Sequence, residues 1–158
     1  MKLTIIIYMA NTYKGKFTPK NKKKYMGDPT QIVYRSLWER QVFRWCDTTD
    51  RVVSWVSEEV VVPYRYQVDG KVHKYYVDLL VKFNDGSVVL VEIKPKKETM
   101  VPKVPARKTK RYIQEVTTYI KNTDKWQAAN AYATKRGWKF EIWHEDTLKS
   151  LGIKLIKG

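Results

Sequence analysis

Cysteine is nearly missing from this chain: Cys46 stands alone among 158 residues. One thiol excludes an intramolecular disulfide framework and a Cys-cluster zinc site. Cys46 is therefore expected to pack as a small hydrophobe in a reducing compartment. Histidine is scarce too. His73 and His144 lie far apart without Cys partners, which weighs against a zinc site or a histidine-based nuclease. Glycine is low, and no Gly-rich loop runs into a Lys-Ser/Thr pair, so a nucleoside-triphosphate phosphate cradle is excluded. Long apolar runs are absent as well. Leu3-Thr4-Ile5-Ile6-Ile7-Tyr8 is too short to span a bilayer, and no small-residue cleavage site follows it. Synthesis in the cytoplasm is the expectation, with Met9 as an alternative start.

Negative charge is the remaining shortage. Sixteen Asp+Glu face 31 Lys+Arg, a formal net charge of +15. That excess calls for a polyanionic partner, nucleic acid first. A membrane surface is disfavoured because no long basic amphipathic helix is present. Charge alone leaves a basic, ribosome-like structural protein open. The length suits one domain with a sizeable core.

Between Asn11 and Asp28 the chain is rich in Lys, Gly, Pro and Tyr and has no periodicity. It reads as a basic arm or extended loop carrying Lys20, Lys22, Lys23 and Lys24, either a DNA-contacting arm or a solvated tail. Asp28-Pro29-Thr30 is a helix-start signal, predicting a helix to about Asp47. Ile32, Ser36, Glu39, Phe43 and Cys46 then share one face. Glu39 is either a functional acid in that stripe or an exposed one paired to Arg35 or Arg40; spacing does not decide. Runs at 51–56 and 60–64 are β-rich, and Asp69-Gly70 marks a turn before Val72–Tyr76. Residues 77–81 and 88–93 form apolar strands joined by a hairpin at Asn84-Asp85-Gly86-Ser87, central in the sheet and covered by helices. A proline-bearing loop follows from Pro95 to Pro105. Between Lys94 and Arg111 the basic residues Lys94, Lys96, Lys97, Lys103, Arg107, Lys108, Lys110 and Arg111 face one acid, Glu98. A second helical region carries Ile113, Val116 and Ile120, with a break expected at Asn122-Thr123-Asp124, and ends at Gly137. Trp138–Trp143 alternates as a strand, predicted to return parallel to the sheet. Asp146-Thr147 caps a short last helix. The outline is an α/β sandwich around a mixed sheet.

Two of these strands carry charge where apolar residues would suffice. Glu92 and Lys94, at i and i+2, point to the same face, and Asp78 interrupts the preceding run. Asp78 and Glu92 offer hard oxygen ligands suited to Mg2+, with Mn2+ as a substitute, and the Ile93 carbonyl is a further candidate ligand. Lys94 can orient water or neutralise charge on a phosphate. The constellation suits metal-assisted phosphodiester hydrolysis. As a bare pattern it is loose, and exposed acids at strand ends would match it too. Tyr75 and Tyr76 are expected to pack rather than stack on a nucleotide, and Gln127 to lie at the surface.

Asp78, Glu92-Ile93-Lys94 resemble the core of the PD-(D/E)xK nuclease superfamily, with Val77 where a proline often stands. The longer run resembles the head-completion nucleases of large tailed phages and the catalytic domains of transposon-end endonucleases. It comprises Tyr34–Glu39, Val52–Trp55, Ser57–Glu59, the two acid-bearing strands, Trp126–Ala129 and Trp138–Trp143. The resemblance implies a restriction-endonuclease-like core, with residues 1–27 as a basic arm and 28–158 as a single nuclease domain. It implies Asp78 and Glu92 as metal ligands, Lys94 as the catalytic lysine, and Glu39 as a helical acid facing the metal. Double-stranded DNA is the implied substrate. Arg35 and the basic residues named above would touch its backbone, with little sequence preference. The phage likeness implies trimming of packaged DNA in the host cytoplasm or on the virion, with head, portal or neck proteins as partners. No membrane role is implied. A dimer would supply two active sites for a double-strand cut. The rival readings are a DNA-binding head or neck component that does not cut, and a junction or transposon-end nuclease of the same core.

Overall fold

The computed structural model describes residues 14–155; the apolar run Leu3–Tyr8 and the first residues of the basic segment lie outside the described residues. Gly15–Lys16 (β1) pairs antiparallel with Val33–Tyr34 (β2), and a single 3-10 turn forms at Lys22–Lys24. The basic segment is extended but held down. Tyr25 is buried, bridges to Trp55, and its hydroxyl accepts a hydrogen bond from the Ser57 amide at 3.2 Å. Phe17, Phe43, Tyr25 and Trp55 form one aromatic cluster, with Tyr25 and Trp55 centroids 4.7 Å apart.

The first long helix begins later than Asp28-Pro29 predicts. The Asp28 carboxylate accepts from the Thr30 amide and hydroxyl at 2.9 and 2.7 Å, so it closes a local turn instead of capping a helix. The chain then stays extended through β2, and the helix spans Leu37–Thr48 (α1). Its cap is Ser36, whose hydroxyl accepts from the Glu39 amide, a better N-cap for the apolar stripe of Val42, Phe43 and Cys46. Cys46 is buried as expected, and burial pushes its thiol pKa up.

Asp47, in the last turn of α1, would oppose the helix dipole if left alone. It is 1% exposed, and its two oxygens accept the Lys20 and Asn21 amides at 2.8 and 2.9 Å. One carboxylate thus ties the basic segment to the domain. Asp47→Ala should cost about 3 kcal/mol, the scale of losing two charge-assisted bonds, read as a lower urea midpoint. It should also open the lysines at 20–24 to trypsin. An unchanged midpoint and cleavage pattern would show that the segment docks by other means.

After α1 come Val52–Ser57 (β3), then Val61–Tyr66 (β4) and Lys71–Tyr76 (β5), which form their own two-stranded ribbon around the Asp69-Gly70 turn. Leu79–Phe83 (β6) and Val88–Ile93 (β7) form the predicted hairpin, closed by Gly86 at φ +88°. Lys110–Lys135 (α2) is one unbroken helix. The expected break at Asn122-Thr123-Asp124 does not occur. Asn122 is buried, Thr123 bonds back to the Tyr119 carbonyl, and Asp124 accepts from the Gln67 amide and side chain at 3.0 and 2.9 Å. These residues favour breaks by bonding nearby backbone in non-helical conformations; here Thr123 bonds back within the helix and a tertiary partner takes the Asp124 carboxylate. Gly137 at φ +74° then turns the chain into Lys139–Trp143 (β8). That strand runs parallel to β7, as a helical crossover requires. The last helix, Glu145–Ser150 (α3), is capped by His144 rather than by Asp146.

The main sheet has the order β3-β6-β7-β8 and is mixed. Its central strands bury Leu79, Val81, Leu90 and Val91 completely, with helices against the sheet. This is an α/β, restriction-endonuclease-like architecture. No helix among the described residues is long and apolar enough to cross a membrane.

Candidate active site

β6 and β7 pair with Leu79 opposite Val91, and the next step of that antiparallel register sets Asp78 level with Glu92. Asp78 lies at the bend that enters β6 rather than within the strand. Its carboxylate accepts the Ile93 amide at 2.8 Å, and its carbonyl accepts the Glu58 amide at 3.2 Å. Val77 explains why proline is dispensable there. Its N–H donates to the Val60 carbonyl at 3.0 Å, a bond that proline, lacking the hydrogen, would forfeit.

Glu92 is 7% exposed. The Tyr75 hydroxyl donates to its Oε2 at 2.5 Å, and Lys94 Nζ stands 3.7 Å from its Oε1. The Lys94 amide donates to the Trp143 carbonyl, so β8 fixes the segment that carries the lysine. Glu39 reaches the region from the first turn of α1. It completes a cap there, its Oε2 accepting the Arg35 amide at 2.5 Å, while the Arg35 guanidinium pairs with Glu58 at 2.6 Å. Glu58 itself holds φ +56°, uncommon for a residue with a Cβ.

The electrostatics follow from burial and like charge. Burial first, then the Glu92 charge, raise the Asp78 carboxyl well above the usual range. Burial also raises Glu39, against the Arg35 amide that lowers it, with the Glu58 and Glu92 charges adding to the rise. Burial and Glu92 push the Tyr75 phenol up, so it stays a donor. Two hard carboxylates face each other here with one ammonium at salt-bridge distance, an arrangement short of positive charge. The donor set suits Mg2+, which binds through one or two carboxylates and keeps several waters. Among the described residues, no three acidic, His or Cys side chains form a ready-made metal cage.

Of the basic residues expected to touch DNA, several have protein partners. Lys24 Nζ donates to the Thr49 carbonyl at 2.7 Å, Lys96 pairs with Asp146 at 3.1 Å, and Arg111 pairs with Glu115. Lys20, Lys22 and Lys23 sit on the docked segment. Lys97 lies in the 3-10 turn directly after Lys94 and Pro95, and Lys103, Arg107, Lys108 and Lys110 are exposed along the following loop and the start of α2.

The sequence model of the family described as "TnsA-like endonuclease N terminal" matches residues 49–145. The chain belongs to that family. The match takes in Asp78, Glu92 and Lys94, but Glu39 lies before it. The chain is also 47% identical, over 146 residues, to a head completion nuclease of Enterobacteria phage T4, spanning 90% of this chain and 97% of that protein. The structure brings two further residues to this region that the sequence pattern did not mark. Tyr75 is one, and its alternation on β5 gave only a packing signal. Lys125 is another. Burial lowers its pKa, and the charges acting on it include Glu92, Lys94 and Asp78. Gln127, by contrast, is exposed.

Proposed function

We propose that the protein is a Mg2+-dependent DNA endonuclease of low sequence preference that finishes packaged DNA during phage head completion. The observation that carries the chemistry is Asp78 held level with Glu92 by the Ile93 amide, with Lys94 beside them. Asp78, Glu92 and the Ile93 carbonyl would hold the cation, and Glu39 would add an acid from α1. The chemistry such a cation supplies when bound is Lewis-acid polarisation of the scissile phosphate. Lys94 places an ammonium where charge grows on the phosphate oxygens. Tyr75 donates to Glu92 Oε2 and so fixes which face of that carboxylate is presented. The Ile93 amide does the same for Asp78. Basic side chains on the docked segment and the loop after Pro95 supply backbone contacts, which position a duplex without reading bases. The head-completion role rests on the likeness to the T4 head completion nuclease and on near full-length coverage of both chains. On that reading the protein works in the host cytoplasm or on the virion, beside head or neck proteins.

Incubation with supercoiled plasmid and Mg2+ should give nicked or linear DNA. Mn2+ should replace Mg2+, and EDTA should stop the reaction. Retention on DNA without any cut under these conditions would replace the nuclease by a DNA-binding head component.

A further inference from the structure

The lysines that the sequence draws attention to lie on the docked segment and between Lys94 and Arg111, yet two more stand on the middle of α2. Lys121 and Lys125 are one turn apart on one face of that helix. Each ammonium stands over a tyrosine ring of the β4–β5 ribbon: Lys121 Nζ is 5.2 Å from the Tyr66 centroid, and Lys125 Nζ is 5.4 Å from that of Tyr75. The Tyr75 ring is the one whose hydroxyl bonds Glu92, so Lys125 is one side chain removed from the candidate metal ligand. Asp124, between the two lysines, clamps α2 to Gln67 at the end of β4. The lysine face is thereby held at a fixed height against the ribbon.

Neither ammonium forms a salt bridge with a carboxylate among the described residues, whereas Lys96 pairs with Asp146 and Arg111 with Glu115. A tyrosine face is worth about 0.5–2 kcal/mol to a cation, and it leaves the ammonium protons on the open side unused. Two half-buried lysines with preset stems and open heads are arranged for an anion that arrives from outside. Their separation along the helix is about 6 Å, the order of the distance between successive phosphates of one strand.

We infer that Lys121 and Lys125 form a two-phosphate clamp that grips the DNA strand beside the scissile phosphate, with Lys125 nearer the cut. The clamp rests on the nuclease reading for its position relative to the cut, but not for its affinity. It differs from the loop lysines in being rigid: tyrosine rings and the Asp124–Gln67 bonds set its geometry before DNA binds. A rigid pair selects backbone spacing and direction, which a flexible loop does not.

The test measures binding of the full-length protein to a 30-bp duplex, without divalent cation, as a function of salt. Each phosphate contact contributes about 0.9 to the slope of log K against log[salt]. Lys125→Met and Lys121→Met keep the aliphatic stem on the tyrosine and remove the charge. Each should reduce the slope by about 0.9 and the double variant by about 1.8, while Lys125→Arg restores it. In Mg2+, Lys125→Met should also slow single-turnover cleavage at saturating protein by about 10-fold or more. Unchanged slopes in well-folded single and double variants would overturn the clamp. If Lys125→Met fails to fold, Lys121→Met and Lys125→Arg still decide, since the first must lower the slope and the second must keep it. A wild type that binds with these slope changes but cuts nothing removes the nuclease reading and leaves the clamp. A wild type that cuts, with slopes unmoved in the variants, removes the clamp alone.

Discussion

Asp78→Asn should abolish cleavage and make the metal-free protein harder to melt. The two effects have one cause. In the folded chain the Asp78 carboxyl is buried opposite Glu92, and its pKa is raised above the ordinary 3.8. A carboxyl that binds its proton more tightly when folded than when unfolded favours folding only while it is protonated. That contribution is complete below the unfolded pKa and is lost as pH rises through the folded one. As pH rises out of that range, Asp78 therefore works against the native state. Asparagine keeps an oxygen for the Ile93 amide and removes the charge. For a chain of this length each kcal/mol gained is worth about 2–4 °C in Tm. The gain should be present at pH 7 and disappear below about pH 3, where the wild-type carboxyl is protonated in both states. Cleavage in Mg2+ should fall by roughly 10³-fold or more, the loss of several kcal/mol of Lewis-acid stabilisation. Added Ca2+ or Mg2+ should raise the wild-type Tm by mass action and leave the variant's Tm unmoved. A variant that cuts normally, or that gains the same Tm from metal, would take Asp78 out of the metal site.

The parts of this site that could be read from the sequence are those carried by local pattern. Two apolar runs around Asn84–Ser87 must pair, and pairing alone brings Asp78 level with Glu92. Period-2 alternation then puts Lys94 on the same side as Glu92. The parallel return of β8 follows from a helix lying between two strands of one sheet. What was misread depends on which partner wins a polar group. Asp28 carries a sound capping signal, but Thr30 satisfies it locally, and Ser36 with Glu39 makes the cap that begins α1. Asn122-Thr123-Asp124 carries a sound breaking signal, but Gln67, fifty-seven residues away, takes the Asp124 carboxylate and the helix continues. Tyr75 and Lys125 could not be placed at the site from spacing at all. Their approach depends on how the β4–β5 ribbon packs on α2, and no one-dimensional period encodes that contact. The only trace is the i, i+4 pair of lysines in the middle of an otherwise half-buried helix. Glu39 shows why such a residue stays ambiguous: its amide and carboxylate both cap α1, and its charge also reaches Glu58 and Glu92.

Lys94→Met should separate metal binding from turnover. Lys94 Nζ stands 3.7 Å from Glu92 Oε1, a separation set by Coulomb attraction rather than by a direct hydrogen bond. Its amide is held by the Trp143 carbonyl, so the backbone survives removal of the head group, and methionine retains the apolar stem. The ammonium offsets part of the charge that Asp78 and Glu92 bring together. Removing it should leave the carboxylate pair a stronger attractor for a divalent cation, so the Tm gain with Ca2+ should persist or grow. Cleavage should nevertheless fall by about 10²–10³-fold, the usual scale for losing one preorganised group at a charge that develops during reaction. The loss should appear in the single-turnover rate at saturating DNA. In the metal-free salt titration, Lys94→Met should leave the slope unmoved. Lys125→Met should differ in that a substantial part of its defect lies in binding. The two lysines approach Glu92 from different elements, one directly after its own strand and one on α2. If they exchanged these signatures, with Lys94→Met losing binding and Lys125→Met losing only turnover, the assignment of the two cations would have to be reversed. An unchanged rate in Lys94→Met would place Lys94 among the charges that stabilise the acid pair, outside the reaction.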